Sequence, residues 1–439
     1  MFATKLLQKK VVSVWGFGYL GYTSALRMQE HGFHIKIFDF SAQRFEAFEK
    51  NRYPGIAQKN HWSTRYSIPE LNREKITFCT DPGRLFDDDD RMHIIALPMM
   101  SMGPVGAGGI LENLLKIFVK HQKHLDEALI LFQSVGVPGQ IDESFYRPLK
   151  QANAKCRIAV AFRSDWVLEE FLQDSRTQVI AGNEPDDLEQ TRAFFDLVKT
   201  PVVSLGSIQE AEIFENAKNA LNYATTALIN QMALSYPDIN FQSIVRLLLQ
   251  EVDLSTCKLS IGAGGYRMPF SVDALLAGSK LSECLSILKE AEAVNFSTVL
   301  CYSEYMARKG FKEVLVLGIT NRDNQKDFVA ISPSLTLVET MHNKGLKVYV
   351  NDPHYSAAEL EHLIPYGRPL SLESLPPGLD AIIVMSDHSQ YRGLSQEQLD
   401  SIIHPKIKLI IDNTGIFSKY HFQHACYHQV GDGKINILK

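Results

Sequence analysis

Three glycines and one acid carry the first chemistry legible in this chain. Gly16-Phe17-Gly18-Tyr19-Leu20-Gly21 follows the apolar run Val11–Trp15, and Asp39 closes the next apolar run. G-x-G-x-x-G between a strand and a helix is the spacing by which a backbone cradles a dinucleotide. Gly16 permits the tight turn and Gly18 lets the backbone approach a pyrophosphate. Gly21 allows close helix–strand packing, and the helix N-terminus offers free N–H groups to the phosphates. A carboxylate at Asp39 can accept hydrogen bonds from a ribose 2′-OH and would repel a 2′-phosphate, so the expected cofactor is NAD. The alternative is a glycine turn that has kept its shape and lost its nucleotide.

These residues need a sheet to hold them. Apolar runs at Val11–Trp15, His34–Asp39, Met92–Leu97, Ala128–Phe132, Arg157–Ala161 and Gln178–Ala181 alternate with helical stretches. That alternation implies parallel crossovers and a doubly wound α/β domain, with its ligand crevice beyond the strand C-terminal ends. Gly16, Asp39, Pro98 and Gln133 all fall there. From Ile208 the period changes. Glu210–Ser235 has no glycine or proline, and Ile213, Ala217, Ala220, Ala224, Leu228 and Met232 recur at helical spacing, which predicts a long helix. Helical sequence continues through Phe241–Val252 and, after a glycine-rich break, Ser271–Ala307. A second strand–glycine unit starts at Glu313–Gly318. It is followed by a helix over Ser334–Lys344, a strand ending at Asp352-Pro353, and buried strands at Asp380–Ser386 and Lys408–Asp412. It lacks the second and third glycines. The expected architecture is α/β: two Rossmann-like doubly wound domains, 1–207 and 310–439, joined by a long central helix and helical spacer over 208–309.

Composition narrows the function classes. The 439 residues carry a net charge of −5, with 45% hydrophobic and 22% charged content. Such a balance is ordinary for a soluble globular protein and makes no electrostatic case for nucleic acid or an anionic membrane. Six dispersed cysteines without a C-x-x-C pair suggest reduced thiols in the cytoplasm, not a disulfide framework or zinc site. No apolar run suits a bilayer span, and the start of the chain has no signal-peptide core. Asp87–Asp90 reads as a solvated loop. No metal site is expected.

The order of these motifs resembles the UDP-glucose/GDP-mannose dehydrogenase family, from Val11 to about Phe417. Gly16–Gly21 looks like the family's NAD loop. Gln133-Ser134-Val135-Gly136-Val137-Pro138-Gly139 sits where the family writes E-S-T-V-x-P-G, and Leu97-Pro98-Met99-Met100 where it writes V-P-T-P. Pro98 and Ser134 therefore join the expected cofactor residues. Ala211-Glu212 through Asn219-Ala220 to Ile229-Asn230-Gln231 is similar to A-E-x-x-K-x-x-x-N-A and I-N-E. Gly262-Ala263-Gly264-Gly265-Tyr266-Arg267-Met268-Pro269 lies at G-x-G-G-x-C-F-P-K-D. Asp327 to Ser332-Pro333 resembles T-D-D-x-R-x-S-P. Ser386-Asp387-His388 matches T-E-H, where a structural histidine is expected.

The resemblance implies a nucleotide sugar's primary alcohol oxidised twice by NAD to a carboxylate. That chemistry uses a cysteine thiolate to capture the aldehyde, a lysine and an asparagine at the oxyanion, and an acid–base group with water. Residue by residue, the correspondence fails at the chemistry. Arg267 stands at the nucleophile position and Glu215 at the lysine position. Asn219, four residues on and on the same helical face, is retained. Phe270 and Ser271 replace the lysine and aspartate after the proline, and Tyr53-Pro54-Gly55-Ile56 replaces E-P-G-L. Asp165 in Ser164-Asp165-Trp166 aligns loosely with the family's P-E-F acid. Arg267 and Glu215 could pair, two independently drifted residues being the alternative. On the substrate side, Gly264, Gly265 and Tyr266 keep the loop that wraps the sugar nucleotide, and Arg322 stands near the family's F-K lysine.

Two functions follow as expectations. One is an NAD-linked oxidoreductase performing a single two-electron reaction on a nucleotide sugar, with Glu215 or Asp165 as base. Loss of the cysteine does not forbid one hydride transfer. The other is a catalytically silent relative that binds NAD or a nucleotide sugar and acts through protein partners. The resemblance also implies a homodimer through the central helix. A hydroxyacid dehydrogenase would want a lysine where Glu215 stands.

Overall fold

The computed structural model describes residues 6, 9–50, 70–86, 91–99, 107–163, 177–251, 258–265, 267–320, 324, 326 and 332–439. The chain divides into two compact units, Met1–Ala217 with Asp273–Ser282, and Lys218–Val272 with Glu283–Lys439.

The first unit holds eight strands: β1 (Val11–Trp15), β2 (His34–Phe38), β3 (Ile76–Cys79), β4 (Met92–Ile95), β5 (Leu129–Phe132), β6 (Arg157–Val160), β7 (Gln178–Gly182) and β8 (Val202–Leu205). They lie in the order β3-β2-β1-β4-β5-β6-β7-β8, and every pairing is parallel except β6 with β7. Helices α1 (Tyr19–Glu30), α2 (Gln43–Glu49), α3 (Ala107–Lys120), α4 (Arg147–Gln151) and α5 (Pro185–Leu197) connect them. Successive residues of each central strand enter different cores. Val14, Ile94 and Leu131 pack in one cluster, while Trp15, Ile95 and Ile130 pack in another. A sheet covered on both faces needs near-continuous apolar strands, which is why β5 is wholly apolar and β1 and β4 carry one buried polar residue each.

Helix α6 (Ile208–Ser235) starts in the first unit and ends in the second; α7 (Phe241–Glu251) follows. The expected helical run Ser271–Ala307 is broken. It begins earlier, as α8 (Arg267–Gly278), passes through a short 3₁₀ turn at Ser282–Cys284, and resumes as α9 (Ser286–Arg308). Gly278 lies against Pro138, where a Cβ would come within 2.9 Å of the proline, so the helix ends on a residue without a side chain.

The second unit carries a six-stranded, all-parallel sheet in the order β11-β10-β9-β12-β13-β14. Its strands are β9 (Glu313–Leu317), β10 (Lys347–Asn351), β11 (Arg368–Pro369), β12 (Ala381–Val384), β13 (Leu409–Asp412) and β14 (Cys426–Gln429). Helices α10 (Pro333–Asn343), α11 (Ala357–Leu363), α12 (Ser389–Arg392) and α13 (Gln396–Ile402) complete it. Val314, Val316 and Ile383 face one core and Leu315, Leu317 and Ile382 the other. The expected pair of Rossmann-like α/β units is thus the observed fold.

Candidate functional site

In the first unit, the turn after β1 has the geometry its sequence implies. Gly16 has φ +98°, and its N–H donates to the Phe38 carbonyl at 2.8 Å. A Cβ on Gly16 would sit 2.8 Å from the Ala96 carbonyl oxygen, and one on Gly21 only 1.9 Å from the Gly16 carbonyl oxygen. Gly18 occupies the N-cap of α1 with no side-chain cap, leaving the helix N-terminus to be satisfied from outside. This cradle fits a pyrophosphate: its own glycines offer bare backbone, and the helix end favours an anion.

The Asp39 carboxylate is tied into the same turn. Oδ2 accepts the Phe17 N–H at 2.7 Å, Oδ1 accepts the Ser41 N–H at 2.8 Å, and Arg44 Nη1 donates to Oδ2 at 3.1 Å. An ionised carboxylate offers about four acceptor sites, so these bonds leave capacity for a ribose hydroxyl. Sequence reading missed Arg44. Its guanidinium also lies within 3.3 Å of where a Gly18 Cβ would be, so a cation stands beside both the loop and the acid. The signal was a basic residue in the first turn of the helix after an acid-ended strand.

Pro98 is exposed beyond β4 and Ser134 half-buried beyond β5. With Gly16 and Asp39 they line the C-terminal ends of four adjacent strands, β2-β1-β4-β5. The first residues of α6 pin the loop that carries Ser134. Glu212 accepts the Gly139 N–H at 2.6 Å, and Asn216 Nδ2 donates to the Gly136 carbonyl at 3.0 Å. Burial pushes the Glu212 carboxyl up to about 7, against the pull of the Gly139 and Ile141 N–H groups. A second link missed by sequence joins three elements: Arg163 Nη1 donates to Ser24 Oγ at 2.9 Å, and Ser24 Oγ to Gln133 Oε1 at 2.6 Å.

The second unit repeats the glycine–acid turn and closes it. Gly318 has φ +85°, its N–H donates to the Asn351 carbonyl at 2.8 Å, and the Ile319 N–H donates to Asp352 Oδ2 at 3.0 Å. The same oxygen of Asp352 faces His388, whose Nε2 lies 3.1 Å from Oδ2; both side chains are fully buried. Burial raises the Asp352 carboxyl, but His388 and the Ile319 and His354 N–H groups outweigh it and leave it below the usual carboxylate range. Asp352 is a structural acid, and His388 holds it.

Asn219, on α6, donates from Nδ2 to Ser271 Oγ at 3.1 Å, linking the retained asparagine position to the former aspartate position. Glu215 is buried, at 3% exposure. The Arg267 backbone opens α8, while its side chain, like Asp165, Tyr266, Arg322, Asp327, Tyr53–Ile56 and Asp87–Asp90, lies outside the described residues. Gly264 and Gly265 are buried, Gly265 with φ +90°. Gly264 lines a polar cleft with Lys258, Thr226, Thr320, Ser332 and Asn413. Ser332 caps α10, its hydroxyl accepting the Ser334 N–H at 3.2 Å, so a helix N-terminus meets the cleft beside the ends of β9, β12 and β13.

Among the described residues there is no cluster of His, Cys, Asp and Glu able to hold a metal, and no helix long and apolar enough to cross a membrane. The five described cysteines are free thiols.

Comparison with known proteins agrees with both units. Residues 315–419 match the UDP-glucose/GDP-mannose dehydrogenase family, UDP binding domain. The UDP-N-acetyl-D-mannosamine dehydrogenase of Methanocaldococcus jannaschii is 22% identical over 438 residues, covering 97% of each chain. The UDP-D-ManNAc dehydrogenase structure from Pyrococcus horikoshii superposes with a TM-score of 0.77 at 19% identity, over 97% of this chain and 100% of that one. A UDP-glucose dehydrogenase from Pyrobaculum islandicum gives 0.76 at 18% identity, over 96% of this chain and 98% of that one. The matched C-terminal domain and the full-length relative thus make this chain similar, along its whole length, to dehydrogenases of the UDP-glucose/GDP-mannose family.

Proposed function

We propose that this protein is an NAD-binding, nucleotide-sugar oxidoreductase that carries out one two-electron oxidation and stops short of the uronate. The observation that supports cofactor binding is the turn at Gly16–Gly21 tied to Asp39, which keeps an open helix N-terminus and an acid with spare acceptor capacity. NAD, when bound, supplies the hydride acceptor. The chain's part is to hold the pyrophosphate on the loop and to direct Asp39 at the ribose. The second unit offers the nucleotide sugar a cleft of glycine backbone, hydroxyls and a helix end.

The second oxidation needs an aldehyde held covalently. In the family's motif that is the work of a cysteine, and Arg267 has no thiol to offer. Glu215 at the lysine position puts an acid where an oxyanion would want a cation. Asp165 and Glu215 are the acids available as base, and Tyr266 and Arg322 join Gly264 and Gly265 as proposed substrate contacts. The relatives act on UDP-linked sugars by their names, so UDP-sugars head the substrate panel.

A specific observation favours a second reading, a catalytically silent protein that binds ligand and works through partners. The Asn219 amide that would serve an oxyanion is engaged by Ser271. Calorimetry with NAD and a panel of UDP-, GDP- and dTDP-sugars, followed by NADH detection on each binder, separates the two. One NADH per sugar supports the first reading, and binding without NADH the second. Two NADH per sugar would overturn both. The protein is proposed to be a cytoplasmic homodimer in which α6 meets its counterpart, since Leu221 and Leu228 are exposed seven residues apart on one helical face.

A further inference from the structure

The glycine loop of the second unit, residues 258–265, has neither helix nor strand, yet its backbone is fastened at three amides. The Ser260 N–H donates to Asn230 Oδ1 at 2.9 Å, the Ile261 N–H to Asn413 Oδ1 at 2.7 Å, and the Ala263 N–H to Asn295 Oδ1 at 3.2 Å. The three asparagines come from three places: α6, the residue after β13, and α9. Asn230 and Asn295 are buried, at 2% and 3% exposure. The fastening continues within the loop. Ser260 Oγ donates to the Gly262 carbonyl at 2.9 Å, and Asn413 Nδ2 donates to the Met385 carbonyl at 3.3 Å, tying the loop to the ends of β12 and β13. Gly262 has φ +81°, and a Cβ there would come within 2.9 Å of Val299.

Asparagine suits this task. Its carbonyl oxygen accepts a backbone N–H without a charge to desolvate, and its amide can make a second bond. Ordering a loop backbone costs conformational entropy at every residue, and each hydrogen bond returns part of it. Three side-chain anchors therefore offset part of the cost of a fixed loop. A loop already fixed takes up ligand without bearing that cost at binding.

We propose that Asn230, Asn295 and Asn413 are positioning residues that hold the glycine loop in its ligand-ready shape over the ends of β12 and β13. The ligand half of this inference rests on the proposed function, since the cleft lined by Gly262, Gly264, Thr320 and Asn413 is taken to receive the nucleotide of a nucleotide sugar. The loop half stands on the hydrogen bonds alone.

The test uses the full chain and three variants, Asn295→Ala, Asn295→Asp and Asn413→Ala. Amide hydrogen exchange is read over residues 258–265, and UDP affinity by calorimetry. In the parent protein the Ser260, Ile261 and Ala263 amides exchange slowly. Both alanine variants release the loop while β9, β12 and β13 keep their protection, and the Kd for UDP rises about tenfold as the binding-ready fraction falls. Asn295→Asp retains an acceptor for the Ala263 N–H, and Asn295 Nδ2 makes no hydrogen bond to lose, but it brings a charge to desolvate, so its loop keeps more protection than Asn295→Ala and less than the parent. Fast exchange of the three amides in the parent, or unchanged protection in either alanine variant, overturns the proposal. UDP binding equally tight after loss of protection removes the ligand-ready role and leaves nucleotide binding intact. A parent that does not bind UDP defeats the nucleotide reading, and the exchange data still decide the clamp.

Discussion

Asn219 and Ser271 are joined side chain to side chain, Nδ2 to Oγ at 3.1 Å, and they are unequally buried: Asn219 is half-exposed, Ser271 only 3% exposed. The two halves of this bond therefore differ in what their removal costs. Asn219→Ala strands a buried hydroxyl, a penalty of about 1–3 kcal/mol, whereas Ser271→Ala leaves an amide that can turn to water, about 0.5–1.5 kcal/mol. Urea unfolding of the two variants should show the asparagine change as the larger loss. The reverse order would mean that Ser271 is held chiefly by other groups.

On the proposed NAD site, Asp39 and Arg44 together would set cofactor choice. Asp39→Asn keeps an acceptor for the Phe17 N–H but removes the charge that holds Arg44. Hydrogen bonds to charged groups contribute about 1.5–3 kcal/mol, so NAD affinity should fall by about tenfold or more. The released guanidinium then suits a 2′-phosphate, and the NAD/NADP preference should move toward NADP by a similar factor. Fluorescence titration with both cofactors measures this; an unchanged ratio would show that Arg44 does not reach the ribose.

The glycines can be ranked by what a methyl group would meet. Gly21→Ala places a Cβ on the Gly16 carbonyl and should cost about 3 kcal/mol or more, with loss of NAD binding. Gly345→Ala meets nothing within 4 Å and bears only the strain of φ +85°, about 1 kcal/mol. Thermal melts of the two variants should differ accordingly.

Glu212 makes stability depend on pH. Its folded carboxyl titrates at about 7 against an ordinary 4.5, so the folded state holds a proton that the unfolded chain has released. Stability is full below about pH 4.5, declines as pH rises toward 7, and levels off above it. The total is on the order of 3 kcal/mol at 1.36 kcal/mol per pH unit. Glu212→Gln should therefore gain on the parent protein between pH 5 and 8 in denaturant titrations, and parallel pH profiles would exclude this origin.

The exposed stripe on α6 gives a test of assembly. Leu221 is 67% exposed and Leu228 53%. Leu221→Asp with Leu228→Asp should convert a dimer to a monomer by light scattering without shifting the melting temperature of the isolated chain. A parent protein already monomeric would end the proposal.

Much of this architecture was legible in the sequence, and what escaped did so for one physical reason. The central strands are buried on both faces, so β5 and β9 announce themselves as near-continuous apolar runs, and β1 and β4 as runs with one buried polar residue each, Ser13 and His93. The strands that sequence reading left out, β3, β8, β11 and β14, are the outer strands of the two sheets. Half-exposed positions such as those of Val202–Leu205 and Cys426–Gln429 dilute the apolar signal. Site residues divide in the same way. Gly16, Gly21 and Asp39 are readable because backbone geometry dictates their type. Arg163 and the three loop asparagines act through partners distant in sequence, which no spacing reveals, whereas Arg44 lies only five residues from its partner Asp39.

The turn at Gly318 and Asp352 has a practical consequence for recognising binding sites. By pattern, this chain contains two strand–glycine turns each answered by an acid at the end of the next strand, and a motif count would credit it with two nucleotide pockets. In the first the acid's Oδ2 meets a half-exposed arginine; in the second the corresponding oxygen meets a fully buried histidine. Exposure of the acid's side-chain partner, not the presence of the acid, distinguishes the two turns.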